Sequence, residues 1–130
     1  MSYEEFFKAL CPYTFQKPKR SKHYFSHHSE QIDKVLSSEW CRCKDTAKFA
    51  FNDFETFDAL NSFYSTKFAK NEKRQIKDLK KYIKNWKSNK NLVLVTHYVV
   101  ISAMLNRGVS SGEIVVSDKN LNIIGSIITN

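Results

Sequence analysis

The sequence predicts an α/β fold, a three-layer sandwich in which a mostly parallel sheet carries helices on both faces and ends in an antiparallel hairpin. From residue 33 onward, apolar runs of strand length alternate with stretches of helical periodicity. That alternation favours right-handed crossovers and parallel strands. The last two apolar runs flank the residues SDKN, a combination typical of a hairpin turn.

The first strand and helix of this pattern follow each other directly. KVLSS, at residues 34–38, predicts a short buried strand, and CRCKDTAKFAF, at 41–51, predicts a helix. Residues 52–68 mix aromatic and small side chains without a clear period, so they predict a loop with a short strand or helical turn. Residues 71–87 predict a surface helix, because apolar residues recur there at helical spacing between lysines. These apolar residues are Ile76, Leu79, Ile83 and Trp86.

The second half of the chain repeats the strand-helix order. NLVLVT, at residues 91–96, is apolar on both faces, as expected of a central parallel strand. Residues 97–107 predict a helix that ends in left-handed geometry at Gly108. Two strands, at 113–116 and 121–127, complete the pattern. The carboxyl ends of parallel strands meet at one edge of a sheet, so Ser37 to Ser38 and Thr96 to His97 should lie close together.

The N-terminal 30 residues resist this kind of interpretation. They contain scattered aromatics, the basic cluster KPKRSK and three histidines, and they predict only a short helix at residues 3–10. We therefore divide the chain into an N-terminal segment, 1–30, and one domain, 31–130. A chain of 130 residues is long enough for a single core.

The chain has a net charge of +8, and only four of its 21 basic residues are arginines. Lys, Asn, Ile and Phe are abundant and all have AT-rich codons, so codon bias accounts for the charge. A nucleic-acid binder that uses the lysines of the 71–87 helix is the alternative, although no series of stacking aromatics accompanies them.

Composition also limits the location and the cofactors. The three cysteines, at 11, 41 and 43, are an odd set, and their spacing fits neither a disulfide framework nor a zinc pair. The N-terminus lacks the basic and apolar regions of a signal peptide, and no apolar run is long enough to cross a bilayer. We expect a cytoplasmic protein without a membrane partner and without a metal.

Two residues stand out as candidates for phosphate binding. Arg42 lies one turn into a helix that follows a strand, where a guanidinium fork and free backbone N–H groups together favour an anion. His97 ends an apolar strand, where an imidazole can donate to a phosphoryl group. Each has an ordinary alternative: Arg42 could form a surface ion pair, and His97 could be a core or capping histidine.

Four segments in order carry a family resemblance: SSEWCRC at 37–43, ALNSFY at 59–64, VTH at 95–97 and SGEIV at 111–115. Together they resemble the histidine phosphatase superfamily, which has the phosphoglycerate-mutase-like fold. The resemblance extends over residues 34–128.

The resemblance implies a mechanism and roles for specific residues. In this family a histidine of an Arg-His-Gly or Arg-His-Ala motif attacks the phosphoryl group, and water then releases phosphate without a metal or other cofactor. Arg42 matches the second phosphate-binding arginine and His97 the second histidine. Ser37 and Ser38 match the small residues of the pocket floor, and Ser38 is expected to bind phosphate together with Arg42 and His97. The implied substrate is a phosphorylated small molecule or a phosphohistidine protein.

The chain departs from the family at the nucleophile and the general acid. It contains no Arg-His-Gly or Arg-His-Ala, and no apolar strand is predicted before Asp33. The only upstream histidines, at 23, 27 and 28, neither follow an arginine nor end an apolar run. The family's acid is often a carboxylate near the aromatic segment, where this chain has Asn61. The alternative carboxylates are Glu55, Asp58 and Glu113.

Two functions therefore stay open. One is metal-independent hydrolysis of phosphomonoesters or phosphohistidine. The other is an inactive phosphate-binding remnant that lost the first strand by truncation or frameshift and is incomplete relative to the family. Without that strand Val93 and Val95 would lack a neighbour, so we expect marginal stability and self-association through the exposed sheet edge.

Overall fold

The computed structural model describes residues 7–10, 32–88, 90–110 and 112–128. Their strands are β1 (Phe7–Leu10), β2 (Ile32–Ser37), β3 (Glu55–Thr56), β4 (Asn91–Val95), β5 (Glu113–Ser117) and β6 (Ile123–Ile128). Their α-helices are α1 (Cys41–Phe51), α2 (Glu72–Lys84) and α3 (Tyr98–Leu105). Short 3-10 turns lie at Asp58–Leu60 and Ala69–Asn71.

The strands form one mixed sheet in the order β3-β2-β4-β1-β5-β6. Neighbours β3 and β2, β2 and β4, and β4 and β1 are parallel. Strand β5 is antiparallel to both β1 and β6, so the hairpin extends one side of the sheet. The structure confirms the predicted α/β class, with a mostly parallel sheet and a C-terminal antiparallel hairpin.

Alternating side chains of β2 and β4 enter two separate cores, as the period of two in a strand requires. One core combines strand residues with Cys43 and Ala47 of α1. Its strand members include Val35, Val93 and Val95. The other core combines Leu36, Leu92 and Leu94 with side chains of α2 and α3. Helices thus cover both faces, as the sequence predicted.

A central strand occupies the position that the sequence left empty. Strand β1 lies between β4 and β5, with Lys8 paired to Val93 and Leu10 paired to Val95. The predictions of a helix over residues 7–10 and of no strand before Asp33 are therefore wrong. The remainder of that predicted helix, residues 3–6, lies outside the described residues. Strand β4 is therefore paired on both sides. The exposed edge beside β4, from which we expected self-association and marginal stability, is absent.

Most other elements agree with the sequence. Helix α1 has the predicted bounds, and the predicted stripe of α2 packs into the core. The end of α3 differs, because the left-handed residue is Asn106, with φ 53°, and not Gly108. Asparagine adopts this conformation at low cost, so the helix ends two residues earlier than the glycine suggested. Among the described residues, no helix is long and apolar enough to cross a membrane.

The position of β1 predicts a strong effect of proline. Ala9 is paired to Leu94 on one side and to Val115 on the other. Ala9→Pro removes a backbone donor from a strand with neighbours on both sides, so it should reduce the free energy of unfolding by on the order of 3 kcal/mol. Chemical denaturation measures the change. Ala9→Val, which keeps the N–H, is the matched control, and equal stability of the two variants would show that β1 is not in the sheet.

Candidate functional site

The candidate site lies where β2 and β4 end side by side. Ser37 pairs with Val95, and the backbone N–H of Ser38 donates to the carbonyl of Val95 at 2.9 Å. Both strands run in the same direction, so the residues that follow them emerge at the same edge. The predicted proximity of Ser38 and His97, which are far apart in sequence, is thereby achieved.

A buried hydrogen bond joins these two side chains. His97 Nε2 lies 2.9 Å from Ser38 Oγ. The same hydroxyl accepts from the backbone N–H of Trp40 at 3.1 Å and donates to Asn61 Oδ1 at 3.1 Å. If Nε2 carries the imidazole proton, the serine accepts two bonds and donates one, which satisfies its full capacity. This pattern favours the Nε2-protonated tautomer of His97.

His97 is neutral in this environment. Its side chain is buried against Cys43, whose Sγ lies 3.5 Å from Nε2, and against the ring of Trp40, whose centroid is 4.8 Å away. Burial, and secondarily the positive charge of Arg42, lower its pKa from 6.5 to about 4. Both effects disfavour the imidazolium ion.

Arg42 lies on the solvent side of the same group. It is exposed on the first turn of α1, and its guanidinium carbon lies 5.8 Å from the centroid of the Trp40 ring. The indole thus contacts Arg42 and His97 at once. The first turn contains no acidic residue, and Trp40 at the N-cap makes no side-chain capping bond. A cation therefore coincides with a helix N-terminus that favours anions.

The segment that carries Asn61 is held in place by two buried polar side chains. Gln75 of α2 donates from Nε2 to the carbonyls of Ala59, at 3.0 Å, and Asn61, at 2.7 Å. Thr96 Oγ1 donates to the carbonyl of Leu60 at 2.6 Å. These bonds attach the segment to α2 and to the end of β4, so Asn61 is fixed where it can accept from Ser38.

Glu39 is a carboxylate that sequence reasoning did not single out. Its backbone N–H donates to Asn61 Oδ1 at 2.8 Å, and its Oε1 accepts from Asn61 Nδ2 at 3.0 Å. Sequence reasoning also missed the roles of Trp40, Cys43 and Asn61. Adjacency to Ser38 and Arg42 was the only available signal for the first two. Asn61 was recognised only as the residue at the family's general-acid position, and its hydrogen bond to Ser38 could not be foreseen because the contact spans 23 residues.

The carboxylates considered as general acids make ion pairs with other residues. Glu55 pairs with Lys34 at 3.5 Å, and Asp58 pairs with Arg74 at 3.6 Å.

Glu113 is buried and accepts from Arg107 Nη2 at 3.0 Å and from the N–H of Ser110 at 2.8 Å. Desolvation raises its pKa, but hydrogen bonds from Ser110 and Ser126 and the charge of Arg107 more than offset this and lower it. A carboxyl with a lowered pKa is a poor proton donor at neutral pH. The histidines at 23, 27 and 28 lie outside the described residues.

Within the described ranges, no three His, Cys, Asp or Glu side chains lie close enough to hold a metal ion. A cleft of about 430 Å³ lies elsewhere, against α2, and shares no lining residue with the His97 cluster. It is lined by Phe57, Asp78, Lys81, Tyr82, Asn85 and Trp86.

Solved structures with this architecture identify the fold. TTHB049 from Thermus thermophilus aligns with a TM-score of 0.69 and 13% identity, over 95% of this chain and 99% of that one. The protein histidine phosphatase SixA, solved with tungstate, aligns with a TM-score of 0.70 and 10% identity, over 95% and 96%. This is the phosphoglycerate-mutase-like fold. A phosphoglycerate mutase from Thermus thermophilus shares it, with a TM-score of 0.66, 12% identity and coverage of 95% and 99%.

Sequence comparison adds nothing to this structural likeness. No family model matches the chain, and no curated protein matches it either. At 10 to 13% identity, the phosphoglycerate-mutase-like fold is shown, whereas the activity is a separate question.

Removal of the Ser38 hydroxyl should destabilise the site. Ser38→Ala leaves His97 Nε2, the Trp40 N–H and Asn61 Oδ1 without this partner, so the free energy of unfolding should fall by about 2 kcal/mol. Ser37→Ala is the matched control, since Ser37 is equally buried but its hydroxyl makes one bond, to the carbonyl of Ser38. Denaturant titrations that give equal losses would contradict the proposed network.

The lowered pKa of His97 should make stability depend on pH. The unfolded chain binds a proton at this residue below about 6.5, whereas the folded chain resists protonation until about pH 4. Stability from neutral His97 is thus complete above pH 6.5 and is lost as the pH falls towards 4, by roughly 3 kcal/mol.

Urea denaturation at several pH values should show a shallower dependence for His97→Gln than for the wild type. An NMR titration of the His97 ring provides a direct check that does not depend on the stability of the variant. A ring that titrates near 6.5 in the folded protein would contradict the account.

Proposed function

We propose that the chain binds phosphoryl groups at Arg42 and His97, with Ser38 orienting the imidazole, and that binding, without turnover, is its activity. The observation that carries this proposal is the exposed guanidinium of Arg42 at the start of α1, linked to His97 through the ring of Trp40. Arginine presents paired donors that match phosphate oxygens, and the helix N-terminus adds a favourable dipole.

His97 supplies a proton-linked component of this site. Without a ligand, the His97 imidazole has a pKa of about 4, so it is neutral at pH 7 and needs no counterion. A phosphate dianion beside it favours the imidazolium, which can then donate from both ring nitrogens. Binding should therefore raise the pKa of His97, and the complex takes up a proton as the pH falls towards that raised value. The cost of protonating the imidazole lowers the affinity at neutral pH.

The nucleophilic groups around His97 support binding over hydrolysis. Ser38 Oγ and Cys43 Sγ both contact the imidazole, yet both residues have 0% exposure. A nucleophile must reach phosphorus opposite the leaving group, which a fully buried hydroxyl or thiol cannot do without rearrangement.

Hydrolysis of phosphomonoesters or phosphohistidine is the second candidate function. The fold shared with the protein histidine phosphatase SixA favours it. In that case the nucleophile would come from the residues outside the described ranges, among which are His23, His27 and His28. The phosphorylated ligands that bind at Arg42 would then be substrates. This alternative makes a different prediction for turnover but the same one for binding.

Neutralisation of Arg42 should weaken phosphate binding. Isothermal titration with inorganic phosphate, or with tungstate as an oxyanion probe, should show a dissociation constant about tenfold higher for Arg42→Ala, the usual cost of losing a charged hydrogen bond. Lys48→Ala is the matched control, because Lys48 is an exposed cation in the last turn of the same helix. If both substitutions weakened phosphate binding equally, the effect would come from the net charge alone, and a specific site at Arg42 would be contradicted.

Assays of p-nitrophenyl phosphate and phosphohistidine hydrolysis decide between the two functions. We expect no turnover above that of a buffer control. Hydrolysis that disappears in both Arg42→Ala and His97→Ala would instead establish the phosphatase.

A further inference from the structure

The two outer strands of the sheet differ in how their free edges are protected. Strand β3 consists of two residues, Glu55 and Thr56, and Glu55 pairs with Lys34. Strand β6, at the opposite end of the sheet, has six residues, IIGSII, and none of them is charged. Short length and charged side chains are the usual means of keeping an edge strand from pairing with another chain. Strand β3 has both of these features, and β6 has neither.

The uncharged stretch extends beyond β6 itself. Residues 120–130 read NLNIIGSIITN and contain no Lys, Arg, Asp or Glu, although these residue types make up 26% of the chain. Ile123 and Ile124 are 41% and 48% exposed, so two large apolar side chains lie at this edge. Among the described residues, no strand pairs with the outer side of β6. An uncharged edge strand with exposed isoleucines favours pairing with a further strand.

The pairing between β5 and β6 shows which part of β6 is regular. It is regular from Gly125 to Ile128 and shifts beyond Gly125, where Ile124 is the extra residue of a bulge. The regular part has four residues, as many as β1, which pairs with a strand on each side. A ladder of this length therefore already exists within the same sheet.

The absence of charge at β6 favours a second copy of this chain as the partner. The net charge of the chain is +8, so an acidic partner would be attracted to the lysines of other surfaces, and β6 offers it no cation. Two copies of the chain repel each other over most of their surfaces. They can approach closely only where charge is absent, and the uncharged strand meets this requirement.

We propose that two copies of the chain pair through β6 and form a dimer with one continuous sheet. The two-fold axis would stand perpendicular to the sheet, so the two β6 strands would run antiparallel. Each copy uses its one β6 edge, and the assembly therefore closes at two copies. Every register of this pairing brings only uncharged residues of β6 opposite one another. The interface is distinct from the edge beside β4, which β1 fills.

Sedimentation equilibrium on the full chain measures this association. We expect a mass that approaches twice 15.2 kDa as the protein concentration rises. Ile124→Lys places a cation at the edge of each copy, so it should raise the dissociation constant of the dimer by at least about tenfold.

Two control variants separate the position of the charge from the loss of the isoleucine. Ile124→Thr keeps a β-branched, uncharged residue and should retain the dimer. Tyr64→Lys replaces another exposed apolar side chain, 71% exposed and outside β6, with the same cation. It should also retain the dimer, because the added charge lies away from the interface.

Salt dependence and hydrogen exchange test the location of the interface on the wild type, without relying on the folding of a variant. Added salt should tighten the dimer, because it screens the repulsion between two copies that each carry +8. The backbone amides of residues 125–128 should exchange more slowly at high protein concentration than at low concentration, because dimerisation pairs the outer side of β6.

Several results would overturn the proposal. A wild-type chain that stays monomeric up to about 1 mM would do so, as would a mass that grows beyond two copies. A dimer that persists unchanged in Ile124→Lys, or that weakens as salt is added, would place the interface elsewhere. If Ile124→Lys fails to fold, as checked by circular dichroism, hydrogen exchange decides. Exchange at residues 125–128 that does not depend on protein concentration would then exclude β6 as the interface.

Discussion

The hydrogen bond between Ser38 Oγ and His97 Nε2 joins the ends of β2 and β4, and the organisation of the site depends on it. One hydroxyl bonds to the imidazole, to the backbone that starts α1 and to Asn61. The orientation of His97 and the origin of α1 are thereby linked. Since α1 carries Arg42, the same bond relates the position of the cation to that of the histidine.

The supporting contacts extend this link through the fold. Gln75 and Thr96 hold the carbonyls of Ala59, Leu60 and Asn61, so a helix on one face of the sheet stabilises a hydrogen bond at its edge. Such buried polar groups are costly unless every partner is satisfied. Their specific hydrogen bonds fix one arrangement of the segments at this sheet edge, which apolar packing alone would not do.

Local patterns predicted those strands and helices whose apolar periodicity is evident within a few residues. The apolar run before Thr96 and the stretch 41–51 each appear as the predicted strand and helix. Parallel-strand geometry then correctly placed Ser38 beside His97. Strand β1 could not be predicted in this way, because FKAL is four residues long and includes a lysine. Its conformation depends on pairing with β4 and β5, which lie more than 80 residues away in sequence.

The same distinction between local and distant signals applies to the candidate site. Arg42 and His97 stand next to recognisable strand and helix boundaries, so their residue types were informative. Asn61 and Gln75 act through contacts between segments, and no local pattern indicates which partners their amides contact. Glu55 and Asp58 resembled candidate acids by position, and in the structure they form exposed ion pairs with Lys34 and Arg74.

Burial sets the protonation state of His97. Burial against Ser38, Cys43 and Trp40 keeps the imidazole neutral, whereas a phosphate bound beside it would favour the charged form. The pKa of His97 with and without inorganic phosphate, measured by NMR titration of the ring, tests the central claim most directly. The account predicts a rise from about 4 by about one unit or more when phosphate saturates the protein. An unchanged pKa at saturating phosphate would contradict it.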